Sequence, residues 1–91
     1  MARISVERAH DLGLEVAREK AQKLVRKLAD RYGLNPTWVG DTVKLERSGV
    51  NGEVEVGATS VKIAVELGML MSAMSGPIKV EIEKALDKAL A

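Results

Sequence analysis

The spacing of apolar residues changes several times along this chain, and each change marks an element. Ile4 and Val6 alternate with Arg3, Ser5 and Glu7, the period-two pattern of a short strand with one buried face. Beyond Asp11 the period becomes helical. At ~100° per residue, Leu14, Ala17, Ala21, Leu24, Val25, Leu28 and Tyr32 share a stripe, with Lys20, Lys23, Lys27 and Arg31 roughly opposite. Asp11 is the expected N-cap, and Gly33 the expected left-handed C-cap. This amphipathic helix must lie on an apolar surface.

An antiparallel sheet supplies that surface. Val43 and Leu45 share a face, as do Val54 and Val56, and as do Val61, Ile63, Val65 and Leu67. A two-residue turn at Ser48-Gly49 sets Val43 opposite Val54 and Lys44 opposite Glu53. A turn at Asn51-Gly52 is the stronger hairpin signal by composition. It would lose the apolar match by setting Val43 opposite Ser60. Ser48-Gly49 is therefore the expected turn, with Asn51-Gly52 as a bulge. The next hairpin turns through Gly57 to Ser60, pairing Val56 with Val61, Val54 with Ile63 and Glu55 with Lys62. A Gly40-Asp41 turn pairs Trp38 with Val43. The opposite-charge pairs fall on the face away from the core, so helices are expected to cover one face alone. Pro77 is expected at the first position of a closing helix whose apolar stripe is Ile78, Ile82, Ala85, Leu86, Ala89 and Leu90.

The expected fold class is α+β: a two-layer sandwich in the order β-α-β-β-β-β-α. A mainly antiparallel sheet of four or five strands carries both helices on one face. Linkers, repeats and low-complexity tracts are missing, so residues 1–91 read as one domain.

Composition narrows the function classes. Fourteen Lys and Arg against 13 Asp and Glu give a net charge of +1, which does not drive the chain toward nucleic acid or an anionic membrane. With Tyr32 and Trp38 as its aromatic residues, it also lacks platforms for stacking bases. It has no cysteine, hence no disulfide and no thiolate site. No apolar run nears the ~20 residues of a spanning helix, and the first residues lack a signal-peptide core. A cytoplasmic location is expected.

Catalytic patterns are weak. His10 is the one histidine, and with Glu7 and Asp11 it does not form a metal-ligand spacing. Glu53 and Glu55 face water beside lysines, unlike the buried carboxylates of acid–base catalysis. No nucleotide or phosphate-binding motif is present, so the expectation is a protein that is not an enzyme and takes no cofactor.

Two groupings remain. Arg8, His10 and Arg47 continue the inward parity of their strands. They read either as frayed strand ends whose side chains reach water, or as a cationic mouth for an anion or carboxylate. Met69, Leu70, Met71 and Met74 make a Met-rich connector. It either plugs the space between sheet and closing helix or presents an apolar docking patch. The basic stripe of the first helix either touches an anionic partner or is a solvated face that needs none, and the solvated face is the expected reading.

Several segments together resemble a known family. They are Arg8-Ala-His10-Asp-Leu-Gly13, Arg18 with Ala21, Tyr32-Gly33-Leu34, Trp38 with Gly40-Asp41, Glu46-Arg47-Ser48-Gly49-Val50 with Gly52, Val65-Glu66-Leu67-Gly68, and the closing Ile82-Glu83 with Leu86-Asp87. In this order, over almost the whole chain, they resemble the polyhydroxyalkanoic acid system family of small bacterial granule-region proteins. The Met-rich stretch after Gly68 departs from that pattern. The resemblance implies a setting, the storage of polyhydroxyalkanoate polyester as intracellular granules, and carries no catalytic residues. It points to an accessory or regulatory protein docking on the granule surface or on a granule-associated protein, with a homodimer left open. The alternative is a small domain binding a hydrophobic acyl ligand below the cationic mouth.

Overall fold

The computed structural model describes residues 2–69 and 71–91. Its elements are β1 (Ala2–Ala9), α1 (Leu14–Tyr32), β2 (Asn35–Val39), β3 (Thr42–Arg47), β4 (Val50–Val56), β5 (Ser60–Leu67), a 3₁₀ turn (Ser72–Met74) and α2 (Ser75–Leu90). The five strands form one antiparallel sheet in the order β1-β5-β4-β3-β2. The fold is α+β, as the apolar spacing predicts.

Register follows the apolar matching closely. Val43 pairs with Val54, Lys44 with Glu53, Val54 with Ile63, Glu55 with Lys62, and Trp38 with Val43. A one-residue slip would turn every core side chain to water, so one buried face fixes the pairing. β1 takes the edge beside β5, with Ile4 opposite Val65 and Val6 opposite Ile63.

Three local expectations are corrected. Asp11 does not cap α1: Gly13 occupies the N-cap with φ 79°, and no side chain bonds the helix start. The loop needs a left-handed residue immediately before the helix, and glycine supplies it without strain. Asn51-Gly52 is not a bulge, because pairing of β3 with β4 runs unbroken from Thr42–Glu55 to Arg47–Val50. Pro77 is the third residue of α2, not the first; the first-turn N–H groups have no partner inside the helix, so proline is tolerated there too.

Both helices cover the inner sheet face. Ala17, Ala21, Leu24, Val25 and Leu28 of α1 and Ile78, Ile82 and Leu86 of α2 are buried with Val43, Leu45, Val54, Val61 and Ile63. Ion pairs pin the edges. Arg18 bonds Asp41 at 2.9 Å, with its guanidinium 5.3 Å from the Trp38 ring centre. Arg31 meets Glu81 at 2.6 Å, linking α1 to α2. Exposed pairs of this kind each contribute about 0–1 kcal/mol, so apolar burial carries the fold.

Candidate functional site

The three inward cations do not form one mouth. β1 and β3 run in opposite directions, so their C-terminal ends lie at opposite ends of the sheet. Arg8 pairs with Val61 at one end, whereas Arg47 pairs with Val50 at the other. Side-chain parity gives the face of a sheet but not the end, and the separation follows from strand direction.

At the first end the polar groups are occupied. Arg8 donates from Nε to Asp87 at 2.9 Å and from Nη2 to Glu83 at 3.1 Å, tying β1 to α2. These bonds, Asp87 first and then Glu83, raise its pKa above the ordinary arginine value. The His10 Nδ1 accepts from Leu12 N–H at 3.1 Å, so Nε2 carries the proton and donates to the Gly57 carbonyl at 3.0 Å. Arg8 and His10 hold elements together and present no open anion site. Among the described residues no three His, Asp or Glu side chains converge in a way that could hold a metal ion.

The opposite end differs. Between the sheet and the helices lies an almost wholly apolar recess of about 40 Å³. Gly52 forms its base, Leu28 and Ile78 reach it from the helices, and Tyr32, Arg47 and Met71 line it as well. These last three are only partly covered and mark the edge facing solvent. The recess exists because Gly52 has no side chain. This residue stands at an inward position of the central strand, flanked by Leu45 and Val65. A Cβ there would meet Leu45 Cβ at 3.5 Å and Val65 Cγ2 at 3.7 Å, ordinary contact, and the backbone φ is not positive. Neither backbone geometry nor crowding demands glycine. A glycine inside a strand weakens it and commonly marks a close approach by something else. A water needs about 10–15 Å³ and polar partners, so this space suits a few methylene groups better than water.

Arg47 stands at that edge with its Nη1 donating to the Tyr32 carbonyl at 2.7 Å. Burial first, then the hydrogen bond from the Tyr32 hydroxyl to Glu81, raises the Tyr32 pKa.

The methionine segment adjoins the same end, where Gly68 N–H bonds the Gly49 carbonyl at 2.8 Å. It is a compact turn: Met71 N–H bonds Gly68 O, Met74 N–H bonds Met71 O, and Ser72 Oγ bonds Met69 O. Met71 packs against the core, while Met69 is 81% and Met74 48% exposed. Leu70 lies outside the described residues. Sequence reasoning named Arg47 and Met71 but placed them in separate groups, and it did not identify the space over Gly52.

The chain belongs to the family described as "putative polyhydroxyalkanoic acid system protein", which it matches over residues 4–90. Among curated proteins no relative matches. A solved structure similar in fold is the NMR structure of PA4090 from Pseudomonas aeruginosa. It is 10% identical with a TM-score of 0.59, over 97% of this chain and 83% of that one. At that identity the likeness concerns the fold alone.

Proposed function

We propose that this protein is a non-catalytic accessory component of polyhydroxyalkanoate metabolism that docks on the polyester granule surface through its Met69–Met74 end. One observation carries the reading: exposed Met69 and Met74 flank Met71 at the edge of an apolar recess. Thioether side chains adapt to an irregular apolar surface, and burying them contributes about 25 cal/mol per Å² before ordering costs. The family supplies the setting; a granule-associated protein is the other docking partner of the same chemistry. The reading carries a cytoplasmic, granule-associated location with it. Co-sedimentation with native granules at low and high salt tests it. Salt-resistant binding, lost in a folded Met69→Ser/Met74→Ser variant, is expected; absence of wild-type binding overturns direct docking.

Gly52 favours a second reading, in which the recess receives a short acyl chain whose carboxylate or ester oxygen is met by Arg47. Titration with butyrate and 3-hydroxybutyrate, followed by amide chemical shifts around Gly52, separates this reading from docking. Shifts confined to the recess are its expected result, and their absence removes it.

A further inference from the structure

The nearly neutral sequence conceals a separation of charge between the two layers. The outer sheet face carries Glu7, Glu46, Glu53, Glu55 and Glu66 against Arg3, Lys44 and Lys62, as the strand registers place them. The helical layer tips the other way: α1 carries Arg18, Lys20, Lys23, Arg26, Lys27 and Arg31 against Glu15, Glu19 and Asp30, while α2 is balanced. Lys20, Lys23 and Lys27 of α1 and Lys88 of α2 surround a groove of about 290 Å³ between the helices, with Leu24, Ala85 and Ala89 as its other lining and no carboxylate in it. The small side chains of Ala85 and Ala89 keep that seam open. The carboxylates of α2 are all engaged elsewhere, Glu81 with Arg31 and both Glu83 and Asp87 with Arg8. The lysines of α2 are thus left without intrahelical neutralisation.

Apolar residues accompany these lysines. Val16 is 42% and Val80 49% exposed. Val16 precedes Lys20, Lys23 and Lys27 at helical spacing on α1, and Val80 precedes Lys84 and Lys88 in the same way on α2. Each helix therefore presents one uncovered valine in a row of lysines. The shortest dimension of the molecule is 18 Å, more than the Debye length of about 8 Å at physiological salt. The two faces act on their surroundings separately, and a planar negative surface attracts one and repels the other.

From this geometry we infer that the outer face of α1 and α2 lies on an anionic lipid layer. Val16 and Val80 enter the boundary between headgroups and acyl chains. Lys23, Lys27 and Lys88 extend to the phosphates, their stems covering apolar surface and their ammonium groups staying wet, while Lys20 Nζ donates to the Ala91 carbonyl at 3.4 Å and ties α1 to the end of α2. The helices lie on the layer and do not cross it; among the described residues no helix is long and apolar enough to span. A lipid layer fits better than a nucleic acid because a linear polyanion offers the valines nothing apolar. Both aromatic residues are engaged elsewhere as well, Trp38 under Arg18 and Tyr32 at the recess. This surface is distinct from the Met-bearing end and does not depend on its role.

Flotation of the full chain with vesicles tests the inference, using phosphatidylcholine alone against phosphatidylcholine mixed with phosphatidylglycerol. Binding to the mixed vesicles alone, weakening as salt rises, is expected. Each of Lys23→Gln, Lys27→Gln and Lys88→Gln should lower affinity roughly fivefold, and the triple variant about a hundredfold. Val16→Ser/Val80→Ser should lower it several-fold at unchanged charge. Circular dichroism establishes that the variants are folded. Three results overturn the inference: no binding to anionic vesicles, a folded triple variant that binds as wild type, or binding to a DNA duplex of equal strength that ignores the valine changes.

Discussion

Arg47 and Tyr32 are joined by a 2.7 Å hydrogen bond from the Arg47 guanidinium to the Tyr32 carbonyl. This bond places a cation over the last turn of α1, where carbonyls lack helical partners and a positive charge is favoured. Gly33, left-handed at φ 67°, closes the same turn. The cation beside the recess is thus also the clamp that ends the long helix.

Arg47→Ala should therefore cost about 0.5–1.5 kcal/mol of stability, measured by urea unfolding. Arg47→Lys should recover part of that loss, since an ammonium keeps the charge near the helix end but loses the planar fork. If Arg47 also meets an acyl oxygen, Ala and Lys will rank differently in ligand titrations than in unfolding.

The Tyr32 hydroxyl sets an alkaline limit. Its pKa is raised above 10.0, by burial first and then by the hydrogen bond to Glu81, against a smaller opposing effect of Arg31. The folded state thus holds the phenolic proton more tightly than the unfolded state. That contribution is fully present below the unfolded value near 10 and is lost as pH rises through the folded value. Unfolding midpoints should fall at alkaline pH in the wild type, and less so in Tyr32→Phe. Phenolate absorbance should show Tyr32 ionising later than free tyrosine.

Arg8 predicts a salt effect. Its contacts with Glu83 and Asp87 join β1 to α2 through side chains that are 36% (Arg8), 35% (Glu83) and 58% (Asp87) exposed. Arg8→Gln should lower the unfolding midpoint modestly at low salt and hardly at all at high salt. Because neither carboxylate nor Arg8 belongs to the recess, granule docking should be unchanged in the same variant.

Strand pairing was legible because apolar matching is a strict constraint: Val43 meets Val54 and Val54 meets Ile63, and any slip exposes them. The cap at Asp11 was not, since capping residues are common and the φ of Gly13 is set by where the loop must go. The grouping of Arg8, His10 and Arg47 failed for a different reason. Parity is local, whereas strand direction depends on the whole topology. Lys88 could not be joined to Lys20, Lys23 and Lys27 before the packing of α2 on α1 was known. Gly52 carried a signal that was outweighed. After Asn51 it resembles a hairpin turn, yet it interrupts the inward row of β4 between Val50 and Val54.

Gly52 gives the sharpest prediction, because stability and binding should move in opposite directions. A Cβ at this position meets nothing closer than 3.5 Å, and the strand backbone suits any residue. Gly52→Ala should therefore stabilise the protein by about 0.5–1 kcal/mol, chiefly by restricting the unfolded chain. Gly52→Val adds strand preference and places two more methyl groups in a recess of about 40 Å³. It should unfold at least as late as Gly52→Ala and abolish the shifts produced by butyrate. A chain that could gain stability so simply, yet leaves the position empty in its central strand, fits the trade expected where open space is used. Were Gly52→Val destabilising by more than 1–2 kcal/mol, in the manner of an overpacked core, the space would be too small for an acyl group. In that case docking through Met69 and Met74 would stand without the recess.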